Sequence, residues 1–147
     1  TCTSPGLAYS PFSGTIFQAG GADYDANLFH TRTSFDGTVN NLSKRFSEYN
    51  ITANSWKELE MLPGSPRFQC AMICSGENVY VIGGSAMKDD TAGALAAVVD
   101  NWKDHIPTKT WSRLADLTAT GPGSSPGASI YMDRFIFLPG GSVYTSA

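Results

Sequence analysis

A short apolar strand that runs into a Gly-Gly pair occurs three times in this chain. Nothing else in the sequence restricts its fold as much. The copies are Thr15-Ile16-Phe17-Gln18-Ala19-Gly20-Gly21, Asn78-Val79-Tyr80-Val81-Ile82-Gly83-Gly84 and Phe135-Ile136-Phe137-Leu138-Pro139-Gly140-Gly141. Their Gly-Gly pairs lie 63 and 57 residues apart. A second landmark recurs between them: a turn, a Trp, and a Leu three residues on. One copy runs from Tyr49 to Leu59 around Trp56, the other from Asp104 to Leu114 around Trp111. Trp56 precedes Gly83 by 27 residues and Trp111 precedes Gly140 by 29. Such a steady interval is the mark of a repeated structural unit. Each landmark has a physical job. The Gly pair lets the backbone turn at φ > 0 at the end of a strand. The Trp is a large apolar plate suited to filling the gap between neighbouring units.

Extended segments are expected at 6–9, 15–19, 45–50, 55–59, 68–74, 78–82, 97–103, 110–114, 128–132, 134–138 and 142–145. Long loops are expected at 22–44 and 85–96. The stretch from Ala92 to Val99 would suit a short helix but for Gly93. Gly121 to Gly127 reads as irregular. The pattern resembles the kelch motif, whose unit of about 50 residues folds as one four-stranded blade of a β-propeller. The expected fold class is therefore all-β, with residues 1–147 part of a single kelch-type propeller domain. At this spacing the chain holds about two to three blades of an incomplete ring. A closed propeller takes about four blades or more, so the remaining blades are expected from elsewhere. An open arc would leave apolar blade faces and strand edges uncovered.

Composition excludes several classes. With 41% hydrophobic and 16% charged residues among 147, the chain can bury a core and is not disordered. A formal net charge of -3 offers no basic field for a phosphate backbone, so no nucleic-acid partner is expected. No apolar stretch approaches the roughly 20 residues of a membrane span. Three cysteines, Cys2, Cys70 and Cys74, cannot all pair with one another. In one extended strand the Cα atoms of Cys70 and Cys74 would lie about 13 Å apart, too far for a disulfide. Two buried thiols on one face are expected, with pairing of Cys2 to either, or to a cysteine outside the chain, as the alternative. The sequons Asn41-Leu42-Ser43 and Asn50-Ile51-Thr52 are expected in surface loops and point to a secreted glycoprotein.

A narrower resemblance covers most of the chain, in order. The run Pro66-Arg67-Phe68-Gln69-Cys70-Ala71-Met72-Ile73 through Gly83-Gly84-Ser85 is similar to the second blade of the galactose oxidase and glyoxal oxidase family. Met132 to Tyr144 resembles the next blade, and Ser4-Pro5-Gly6 through Gly21 the preceding one. The resemblance implies one copper ion and a tyrosyl radical cross-linked to a cysteine. Together these oxidise an alcohol or aldehyde and reduce dioxygen to hydrogen peroxide. It also implies substitutions. The radical tyrosine falls at Phe68. The cross-linking cysteine falls at Ser4, or at Cys2 if two residues are inserted. The indole shielding the radical falls at Ala86. The family's other copper ligands, a second tyrosine and two histidines, are expected beyond this segment. No metal or cofactor ligand is thus expected within these residues, and copper could bind only in the full-length protein. A register slip would bring Tyr80 or Tyr131 nearer the site.

Other constellations are weaker. His30 and His105 are isolated in loops, and no Ser-His-Asp order or phosphate-binding loop occurs. Asp23 with Asp25, and Asp89 with Asp90, read as solvated turn residues. Tyr24, Phe29 and Phe35 would either pack on their own blade or offer a sugar-stacking surface. The functional expectation is a segment of a secreted oxidase-like propeller lacking an intact copper-radical site. The alternatives are a module binding a carbohydrate or protein at its loops, and an active copper radical oxidase.

Overall fold

The computed structural model describes residues 2–3, 5–23, 42–87, 95–118, 129–131 and 134–139, and none of these is helical. Their strands are β1 (Cys2–Thr3), β2 (Gly6–Ser10), β3 (Thr15–Ala19), β4 (Ala22–Asp23), β5 (Phe46–Asn50), β6 (Ser55–Glu58) and β7 (Ala71–Ser75). They continue as β8 (Asn78–Ile82), β9 (Ser85–Met87), β10 (Leu95–Ala97), β11 (Asn101–His105), β12 (Thr110–Arg113), β13 (Ser129–Tyr131) and β14 (Phe135–Phe137). Two four-stranded antiparallel sheets dominate, β2-β3-β5-β6 and β7-β8-β11-β12. Each is an up-and-down meander, the architecture of a propeller blade. The β13–β14 hairpin repeats the first half of the pattern. β1 pairs with β4 and β9 with β10, so both small sheets grow from the segment that follows a Gly-Gly pair.

The registers of the two blades correspond. Ile16 pairs with Tyr49 and Tyr49 with Trp56 in the first blade. Val79 pairs with Asp104 and Asp104 with Trp111 in the second. Because side chains alternate across a strand, each blade presents two faces. The Phe17, Ala19 and Phe46 face of the first blade packs with Met72, Val79 and Val81 of the second, and Leu62 seals the connection. Phe17 stacks on Phe46 at 5.6 Å between ring centroids, and Trp111 meets Phe46 edge-on at 4.8 Å. Trp111 also donates its indole N–H to the Glu60 carbonyl, 3.3 Å away. It is thus the plate between blades that the repeat implies. Trp56 occupies the same position in the first blade. It rests on Tyr49, and with Leu7 and Tyr9 it lies more than half exposed on the opposite face.

Several boundaries differ from the sequence expectation. The strand expected at 68–74 starts at Ala71, because Gln69 takes φ +55 and breaks the extended run after Phe68. The strand expected at 97–103 is β11, at 101–105. Its apolar approach, Ala96 to Val99, is used elsewhere: Val98 N–H donates to Gly84 O, and Leu95–Ala97 pair with β9. The stretch 85–96 therefore carries a strand at each end, and 95–97 is strand, not part of a short helix over Ala92 to Val99. The 22–44 loop holds β4 at its start and a bridge from Ala22 to Leu42 at its end. Residues 24–41, 88–94, 119–128 and 140–147 lie outside the described residues. With them lie Asp25, His30, Asp89, Asp90, the three loop aromatics and the expected strand at 142–145.

Cys70 and Cys74 form no disulfide and both join the core between the blades. Cys70 sits before β7, its Sγ directed to the Ala19 carbonyl at 3.7 Å. Burial pushes the Cys74 thiol up to about 12, which leaves it protonated and unreactive. The side chain of Cys2 lies outside the described residues.

Candidate functional site

The Gly-Gly turns of both blades meet one segment, Arg67 to Cys70, which leads into β7. At this end the backbones crowd. A Cβ at Gly20 would stand 2.3 Å from the Arg67 carbonyl oxygen, and one at Gly84 would stand 2.8 Å from that of Phe68. Gly20 and Gly84 also take φ +65 and +105, where side chains are disfavoured. The glycines are needed because the incoming chain pairs here. Gly21 N–H donates to Arg67 O at 2.8 Å. Phe68 and Ser85 exchange two hydrogen bonds, of 3.0 and 2.9 Å.

Arg67 fastens this end from inside. It has no solvent exposure. Its guanidinium donates to Ser65 O at 3.2 Å, Gly83 O at 3.3 Å, Asp100 O at 2.9 Å and Asp100 Oδ2 at 2.6 Å. Trp102 Nε1 donates to the same carboxylate oxygen. Burial pushes the Asp100 carboxyl up, but the hydrogen bonds from Trp102 and Arg67 and the guanidinium charge outweigh it. The net direction is down, so Asp100 stays ionised. Sequence reading found Arg67 at the strand entrance and missed this partnership. A buried arginine demands an anion, and Asp100 beside Trp102 was the signal available.

Two of the family-aligned positions come together. Phe68 is buried at the bridge to Ser85, and Ala86 follows in β9, paired with Ala96. Ser4 and the side chain of Cys2 lie outside the described residues, as does Asn41. Tyr80 is not at the strand end: it pairs mid-blade with Ile73 and Lys103. Two buried polar atoms beside the bridge, Gln69 Oε1 and Ser85 Oγ, have no hydrogen-bond partner among the described residues. His105 is not in a loop: it ends β11, paired with Asn78 and Thr110, and it shares hydrogen bonds with Thr108 at 2.8 Å and Glu77 at 3.3 Å. Asn50 is exposed at the β5–β6 turn, where its Oδ1 accepts from Ala53 N–H at 2.8 Å.

The fold is that of a propeller segment, and comparison with solved structures agrees. The structure of YjhT, a propeller, is similar to this chain with a TM-score of 0.63 at 17% sequence identity. The likeness covers 90% of this chain and 32% of YjhT, so the chain spans about a third of that protein's length. No protein-family model matches the chain. No curated protein matches it either.

Proposed function

We propose that this chain is part of a secreted propeller of the galactose oxidase and glyoxal oxidase type that has lost its copper-radical centre. The observation that carries the reading is the Phe68–Ser85 bridge. It places a phenylalanine, not a tyrosine, at the entrance of the second blade beside the Gly-Gly-Ser turn. A phenyl ring has no oxygen to bind copper and no phenolic hydrogen to give up. Ala86 has no indole to lay over a radical. The residues present do not fit a copper-radical site, and no redox step is assigned to them.

What this end offers instead is a rim for recognition. The β1–β4 and β9–β10 sheets prolong the inter-strand connections beyond both Gly-Gly turns. Loops on a rigid scaffold are where propellers of many functions bind ligands. The second reading, a carbohydrate- or protein-binding module, rests on that feature. Asn50 supports secretion: it is exposed in a tight turn, as a glycosylation site must be.

The test uses the intact protein loaded with copper and offered primary alcohols and aldehydes. Neither peroxide nor a tyrosyl-radical absorption band is expected. Phe68→Tyr, treated in the same way, shows whether the phenol alone restores the band. Peroxide and a radical band from the wild-type protein would overturn the proposal in favour of an active oxidase.

A further inference from the structure

We propose that the seam between the two complete blades is a pH-sensitive joint, tight in acid and looser near neutrality, with Asp104 as its titrating group. Asp104 stands on β11, on the face turned to the first blade. Val79 and Trp111 flank it in register, and Trp102 lies two residues before it on the same face. It is 3% exposed. No hydrogen bond reaches its carboxyl among the described residues. Asp100, four residues earlier and only half-buried, shows what a satisfied acid looks like here, with Arg67 and Trp102 both donating to it. Asp104 has no such partner among the described residues, and its carboxylate keeps only slight contact with solvent.

The repeat makes the position informative. The first blade fills the equivalent site with Tyr49, paired to Trp56 as Asp104 is paired to Trp111. The blade architecture therefore does not require an acid there.

The charged surroundings are mixed. Glu60, whose carbonyl holds Trp111, adds a like charge from the first blade. Glu48 and Lys57 share the first-blade face with Phe46 by register. On the second blade, His105 and Lys109 oppose the Glu60 effect, and Arg113, on the same face, is engaged by Asp116 at 2.8 Å. Burial is the largest influence, and the carboxyl is pushed up to about 6 from an ordinary 3.8. The native state therefore takes up a proton below about pH 6 that the unfolded chain does not take up until about pH 4. A raised acid stabilises the fold when protonated. Seam stability from this group is highest below about pH 4, falls as pH rises to about 6, and is flat above.

The experiment is thermal unfolding of the intact protein between pH 4 and 8, wild type against Asp104→Asn. The variant is expected to melt about 3–6 °C higher at pH 7.5 and at the wild-type temperature at pH 4. A difference that does not change with pH would overturn the proposal. Should Asp104→Asn fail to fold, Glu60→Gln serves. Removing the neighbouring charge should move the midpoint of the wild-type decline to lower pH, and an unmoved midpoint would sink the idea.

Discussion

Arg67 shows how much one side chain holds in place here. Its guanidinium spans Gly83, Asp100 and Ser65 while its backbone oxygen receives Gly21 N–H. It thereby joins the first Gly-Gly turn to the second. Arg67→Met would leave the half-buried Asp100 without its cation, and the expected loss is about 3 kcal/mol in denaturant unfolding. Arg67→Lys should recover little, because an ammonium cannot reproduce a planar fork donating in several directions. Full recovery by lysine would show that charge alone suffices. Asp100 and Asp104 respond to pH in opposite senses. Asp100, held down, contributes stability above the ordinary carboxylate range, and that contribution is lost as pH falls through its depressed value. Asp104 does the reverse. Arg67→Met should therefore flatten the acid limb of the stability profile and leave the decline toward pH 6 in place. The arginine was legible in the sequence as a strand entrance. Its partner was not, because 13 acidic residues compete for the role and 33 positions separate the pair.

At the scale of elements, what was legible depended on whether the constraint is local. The Gly-Gly ends were readable because the steric demand sits on the glycines themselves. Gly20→Ala should cost several kcal/mol, since the Arg67 carbonyl is backbone and cannot move aside, and φ there is positive. Midpoint shifts in urea measure it, and a near-neutral substitution would mean that the connection to Arg67 is not formed. The position of β11 was hard to read because tertiary partners set it. Ala96 to Val99 looks like a strand by composition, but Gly84 and β9 claim its backbone and Asp100 is drawn to Arg67. The start of β7 was misread for a similar reason: a positive φ at Gln69 has no warning in a glutamine. The β5–β6 turn carries a separate prediction. In protein made through a secretory pathway, Asn50→Gln should lose the mass of one glycan. An unchanged mass would leave the secretion reading without its support from this residue.

For the molecule as a whole, the blade count followed from repeat spacing, while the chemistry did not. The residues that would decide copper binding were expected outside this segment, and Phe68 alone speaks within it. The arc has two unlike apolar faces. Leu7, Tyr9 and Trp56 stand on the first blade's uncovered side, and Phe135 and Phe137 on β14. In the second blade the equivalents of the first set, Met72, Cys74 and Trp111, are packed against the first blade. This chain prepared alone should therefore self-associate at micromolar concentration, visible in sedimentation. Leu7→Lys with Trp56→Lys should reduce that association while leaving the Phe46–Trp111 seam intact. An undiminished association would place the sticky surface elsewhere.

The reach of Trp111 back onto Phe46 also has a consequence in time. The plate that completes the first blade is encoded about 55 residues after that blade's own tryptophan. At roughly 5–20 residues per second, a nascent chain leaves the ribosome with Phe17 and Phe46 uncapped for several seconds. Each blade waits for its successor to finish it, so synthesis from the N-terminus gives folding a direction, and the newest blade is always the one a chaperone would find open.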